Sequence, residues 1–240
     1  MRPTVVIHRG VSVFGKDREH HQSLENIDYI EIDLDISRDG VVFVFHDPRV
    51  GMFIFREPYL CTKEGIKRKA HELLFSEIQE LFPSAVSFEE FLKTTDIAYL
   101  LCELKSYTPY KGIVHVLHRM HPEAFHKLRF ISFSMKALTE VKKLNPSAYC
   151  SYIATSGGDD KRFHFLVRKK HIQDCIKNNI EEISGYWLTF RPRMIRFAHR
   201  QGLRVGIGQI NTPHRVSYVQ KNNVEVWYTD DVKHVEKYII

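Results

Sequence analysis

A chain of 240 residues that is 43% hydrophobic and 27% charged has the makings of one core-forming domain and excludes a disordered or fibrous protein. No apolar run reaches the roughly 20 residues of a membrane-spanning helix, and Val5-Val6-Ile7 is too short for a leader peptide, so a cytoplasmic protein is expected. The formal charge of +6 favours an anionic partner, and a phosphate-bearing small molecule, a membrane surface and nucleic acid are all compatible with it.

In chain order, strand-like and helix-like segments alternate. Thr4 to His8 reads as a first strand, followed by a short polar helix around Arg18 to Asn26. Tyr29 to Ile36 is a second strand, and Val41 to His46 runs back from it through Asp39-Gly40, a hairpin signal because both residues tolerate positive φ. Residues 48 to 69 lack periodicity and read as an insertion that ends near residue 72. Helical patterns follow at Ser76 to Leu81 and Ser87 to Lys93. From there strands and helices pair off: Ile97 to Leu104 with Lys111 to Met120, Arg129 to Phe133 with Met135 to Leu144, Tyr149 to Ala154 with Phe163 to Lys177. Ile180 to Ser184 with Pro192 to Gln201, Arg204 to Ile210 with Pro213 to Lys221, and Val224 to Tyr228 with Val232 to Tyr238 complete the series. Close to eight strand-helix units predict an α/β fold: one domain over residues 1–240, a closed (β/α)8 TIM-type barrel with a small insertion after the second strand region.

Residues two apart on a strand share a face, so Glu31 and Asp33 point together, as do Glu103 and Lys105. If that face is the barrel interior, clustered carboxylates there repel one another unless a cation binds, and all-oxygen ligation suits Mg²⁺, Ca²⁺ or Mn²⁺ rather than zinc. His8 and His46 stand at the C-terminal ends of their strands, the rim where barrel active sites form. Imidazoles there can exchange protons near neutral pH, and Arg9 and Lys105 can hold phosphate oxygens. Cys61, Cys102, Cys150 and Cys175 are widely spaced without a Cys-x-x-Cys pair, which predicts buried reduced thiols rather than a zinc ribbon or a disulfide framework.

The order His8-Arg9-Gly10, Glu31-Ile32-Asp33, Asp39-Gly40, His46-Asp47 and Glu103-Leu104-Lys105 resembles the glycerophosphodiester phosphodiesterase family, whose fold is a (β/α)8 barrel. Ser132-Phe133, the Gly202-Leu203-Arg204-Val205 strand leading to Asn211, and Thr229-Asp230 extend the likeness. The resemblance implies Glu31, Asp33 and Glu103 as ligands of a divalent cation, His8 and His46 as the acid-base pair, and Arg9, Lys105 and Asn211 as substrate contacts. The implied reaction is metal-dependent hydrolysis of a small glycerophosphodiester to an alcohol and sn-glycerol 3-phosphate. Alternatives are lysophospholipase D-type hydrolysis at a membrane surface and a catalytically silent barrel that binds a phosphorylated ligand. The chain departs from the family in lacking the Pro-Glu-Asn-Thr box after His-Arg-Gly, where Lys16-Asp17-Arg18-Glu19 stands, and a tryptophan just before Asn211.

Other patterns read as structure. His115, His118 and His121 drift around a helix that Pro122 is expected to end, and are expected to be solvated. The basic runs Arg168-Lys169-Lys170-His171 and Arg191, Arg193, Arg196, Arg200 lack interleaved aromatics, so no nucleic-acid partner is expected. Phe53, Phe55 and Tyr59 fit either an apolar lip for lipid-like substrates or a cover over the barrel mouth, and weak contact of the protein with a membrane surface is compatible with the sequence. Asp47 fits a histidine-orienting role or a turn cap, Trp187 core or pocket wall, and Trp227 core.

Overall fold

In a computed structural model of the chain, the residues described are 2–8, 27–45, 59–61, 67–96, 100–106, 108–154 and 166–239. Strands are numbered in chain order: β1 (Thr4–Ile7), β2 (Tyr29–Ile36), β3 (Val42–Val44), β4 (Tyr59–Cys61), β5 (Lys67–Lys69), β6 (Val86–Ser87), β7 (Leu100–Leu104), β8 (Arg129–Ser132), β9 (Cys150–Ile153), β10 (Glu182–Tyr186), β11 (Arg204–Gly208) and β12 (Val226–Thr229). Eight of them pair in parallel in the order β1, β2, β7, β8, β9, β10, β11, β12, and β12 closes onto β1 through Thr4↔Val226 to Ile7↔Thr229. The closed eight-stranded parallel barrel, with helices outside it, is the (β/α)8 architecture that the alternation predicts.

Each barrel strand is covered on both faces. Val5, Ile30, Ile32, Leu34, Leu100, Cys102, Leu104, Phe130, Ile183, Val205, Ile207 and Trp227 face the helices and join their apolar sides in the main core. The alternate residues Val6, Leu101, Ile131, Val226 and Tyr228 fill a second cluster inside the barrel. Tyr228 lies over two glycines of β11. A Cβ on Gly206 would stand 2.8 Å from the Tyr228 ring, and one on Gly208 would stand 2.9 Å from its Cβ. These positions are bare because the neighbouring ring occupies the space their side chains would take.

The N-terminal end of the interior is closed by a polar layer. Glu182, 1% exposed, accepts from Tyr149 OH at 2.6 Å, Ser151 Oγ at 2.8 Å and Tyr228 OH at 2.7 Å. Arg204 donates to Tyr149 OH and to Thr4 Oγ1, and the Arg129 guanidinium lies over the rings of Tyr29 and Tyr149. Burial and the charge of Glu182 push the phenols of Tyr149 and Tyr228 up, so both stay protonated donors.

Several boundaries differ from the sequence reading, each for a local reason. The β2–β3 hairpin turns through three residues, not two: Ser37 N donates to Val41 O and Gly40 N to Ser37 O, with Gly40 alone in the left-handed region at φ +82°. Pro122 stands directly after the end of helix Tyr110–Met120 and its C-cap His121, as expected, but it has a second role. It starts a second helix, Pro122–Lys127, where its missing N–H costs nothing. Within the insertion, β4 and β5 pair antiparallel, Tyr59↔Lys69 to Cys61↔Lys67, and three-residue strands are too short to register as periodicity. The predicted helix at Arg18 to Asn26, the aromatics Phe53 and Phe55 and the start of the predicted Phe163 to Lys177 helix lie outside the described residues, and that helix is seen from Lys169 to Lys177. Cys102, Cys150 and Cys175 are buried free thiols, that of Cys150 pushed by burial up to about 12. Among the described residues no helix is long and apolar enough to cross a membrane.

Candidate active site

The site is built from inward positions of β2 and β7 and from the residue that follows β1. Asp33 and Glu103 are register partners on adjacent strands, and Glu31 lies two residues, about 7 Å, down β2 on the same face. All three carboxylates are buried, at 2%, 4% and 6% exposure for Glu31, Asp33 and Glu103, and one oxygen of each lies within 4.8 Å of those of the other two. The outward neighbours Ile32, Cys102 and Leu104 are packed in the core, so the parity cannot slip without burying these acids under the helices.

Lys105, the residue after β7, brings its ammonium 2.8 Å from Glu103 Oε1 and onto Asp33 Oδ1. Among the described residues, this ammonium pairs with Asp33 and Glu103, and Glu31 adds a third acid to the same cluster. Burial, reinforced by the charges of Asp33 and Glu31 and opposed by that of Lys105, pushes the Glu103 carboxyl up to about 8. A hard divalent cation with oxygen ligands is the group that relieves such crowding, and the three acids have the donor chemistry and spacing to hold one. The histidines His115, His118 and His121 are not brought to such a site: His115 Nε2 stands 3.2 Å from Glu140, and the His118 ring packs edge-on against Phe125.

His8 closes the other side of the rim. Its backbone N–H donates to Thr229 O, and its Nδ1 stands 2.7 Å from Asp230 Oδ1. Asp230 is held in turn by Asn211, whose amide donates to Asp230 Oδ2 at 2.7 Å. Asn211 Oδ1 accepts from Thr229 Oγ1 at 2.9 Å and from Asp230 N at 3.0 Å. A proton on Nδ1 donated to this carboxylate leaves the Nε2 lone pair free. The sequence reading assigns Asp230 no role, although barrel closure brings the residue after β12 beside the residue after β1. Asn211 is engaged on Asp230 and Thr229. Arg9, His46 and Asp47 lie outside the described residues. Trp187 is half-buried, packed edge-on to His214 and Tyr218 with the Arg215 guanidinium 5.4 Å from its ring centre, whereas Trp227 is core.

Comparisons with known proteins converge on one fold and one family. The family model for the glycerophosphoryl diester phosphodiesterase family matches residues 23–234. A solved phosphodiesterase of Oleispira antarctica, in complex with the product sn-glycerol-3-phosphate, is 18% identical with a TM-score of 0.75, covering 98% of this chain and 96% of its own. A candidate glycerophosphoryl diester phosphodiesterase of Agrobacterium tumefaciens is 18% identical at a TM-score of 0.76, with 100% and 98% coverage. Another candidate from Silicibacter pomeroyi is 20% identical at 0.73, with 99% and 93% coverage. None of the curated proteins matches.

Proposed function

The chain belongs to the glycerophosphoryl diester phosphodiesterase family, and from that premise we propose that it hydrolyses a small glycerophosphodiester to an alcohol and sn-glycerol 3-phosphate at the mouth of the barrel, with a divalent cation and a histidine pair. The observation that carries this reading is the buried Glu31, Asp33, Glu103 group with Lys105 and His8 on the same rim.

A divalent cation held by Glu31, Asp33 and Glu103 would supply Lewis-acid charge to the phosphate oxygens. Lys105, already between two carboxylates, is placed to meet a phosphate oxygen as well. Asp230 accepts from His8 Nδ1 and so keeps Nε2 available to take a proton or attack phosphorus, with Asn211 fixing the carboxylate's angle. His46 would protonate the departing alcohol and Arg9 would bind phosphate, roles assigned from the family motif alone. The relative solved with sn-glycerol-3-phosphate supports the choice of product.

The test is a panel of glycerophosphodiesters and lysophospholipids assayed with chelator and after adding back Mg²⁺, Ca²⁺ or Mn²⁺. Cation-dependent release of glycerol 3-phosphate from a water-soluble diester is expected. Turnover that persists under chelation, or that occurs only on lysophospholipids, would overturn the reading.

A further inference from the structure

Helices Lys169–Lys177 and Pro192–Arg200 follow β9 and β10, across the barrel from the acidic triad, and enclose a groove of about 810 Å³. Among the described residues that line it, five are exposed cations, Arg168, Lys169, Arg191, Arg193 and Arg200, and none is a carboxylate. None of the five forms an ion pair with another described residue. Apolar lining comes from Leu166, Val167, Met194 and Phe197.

The placement of these charges is costly. Arg168 and Arg191 are the N-cap residues of the two helices, neither supplies a side-chain cap, and no acid stands in either first turn. Cations at a helix N-terminus oppose the helix dipole and repel one another, so the arrangement is relieved by an anion in the groove. Both helix starts lie at the C-terminal end of the barrel, the same end as the candidate active site. On that edge, between β10 and the second helix, Leu188 is 47% exposed.

We infer that this groove docks the protein on an anionic phospholipid bilayer, its arginines and lysine meeting lipid phosphates while Leu188 enters the headgroup region. Charge complementarity selects an anionic partner, and an exposed leucine three residues before Arg191, on the same end of the barrel as this cationic groove, selects a lipid surface over a nucleic acid. The groove's aromatic, Phe197, is no free platform for a base, since Lys169 and Arg200 lie 5.4 Å and 5.9 Å from its ring centre. This assignment is independent of which diester is hydrolysed.

The experiment is co-sedimentation of the full chain with phosphatidylcholine vesicles, with and without phosphatidylserine, at physiological salt. Binding should require phosphatidylserine. The double variant Arg191→Gln, Arg193→Gln should weaken it by about 25-fold, from roughly fivefold per cation at an anionic surface, while Arg191→Lys, Arg193→Lys retains it and Leu188→Ser weakens it by roughly tenfold. Turnover of a water-soluble diester should stay unchanged in all of these variants, which also reports an intact fold. Equal sedimentation with both vesicles, no sedimentation, or binding indifferent to the arginines would overturn the inference. So would displacement by millimolar inorganic phosphate at constant ionic strength, which would mark a free-anion site, or capture of a single-stranded RNA instead of vesicles.

Discussion

The two ends of the barrel interior hold the same kind of group under opposite terms. At the N-terminal end, Glu182 is buried among hydroxyls of Tyr149, Ser151 and Tyr228 that each donate to it, and glycines keep space for the ring that does so. At the C-terminal end, Glu31, Asp33 and Glu103 are pressed within 4.8 Å of one another around Lys105. A buried acid surrounded by neutral donors contributes to a stable packing. Three buried acids facing each other cost stability and are held there by the strands' register, the signature of a site kept for binding. Burial alone therefore does not separate structure from function; the partners do.

That contrast can be broken at either end. Glu31→Gln at the mouth should lower kcat/KM on the order of 10³-fold, equivalent to about 4 kcal/mol of transition-state stabilisation, while the melting temperature holds or rises because repulsion is relieved. A melting temperature that fell as far as the activity would show the triad to be structural. Glu182→Ala should do the reverse, costing about 2–4 kcal/mol of unfolding free energy by denaturant titration, with turnover per folded molecule retained. Gly206→Ala sharpens the same end: its new methyl meets the Tyr228 ring and the Glu182 carboxylate, for a loss of about 1–3 kcal/mol.

The smallest effect lies on the surface, at the hairpin after β2. Asp39 Oδ1 accepts from Ser37 Oγ at 2.6 Å and from Phe75 N at 3.0 Å, and these bonds hold its carboxyl below the usual range. A lowered folded-state value means that the stabilisation is present above about pH 4 and is lost as pH falls through the folded value. Asp39→Ala should cost about 0.5–1 kcal/mol at neutral pH, and the gap between variant and parent should close in acid. A gap that widened in acid would reverse the sign.

Much of this was legible in the sequence because strand parity and strand count are local or summed properties. Glu31 with Asp33, and Glu103 with Lys105, share faces by spacing alone, and eight alternating units specify the closed barrel. Contacts made by closure were not legible. Asp230 and His8 are 222 residues apart and meet because β12 closes onto β1. Glu182 and its neighbour Glu181 carry no distinguishing signal in sequence, yet Glu181 turns outward to Lys142 while Glu182 turns into the barrel. The two glycines of β11 acquire a reason only when the Tyr228 ring is seen over them. Short elements also escaped: the β4–β5 ladder is three residues a side, and Pro122 carries the same signal for stopping one helix and starting the next.

The central claim is that the crowded acids at the barrel mouth exist to hold a divalent cation. An equilibrium titration with Mn²⁺, following the free ion by electron paramagnetic resonance, tests it without recourse to turnover. The account predicts one tightly bound ion per chain, lost in Glu31→Gln and Glu103→Gln and retained in Glu182→Gln. Unchanged binding in the triad variants, or no tight binding in the parent chain, would contradict it.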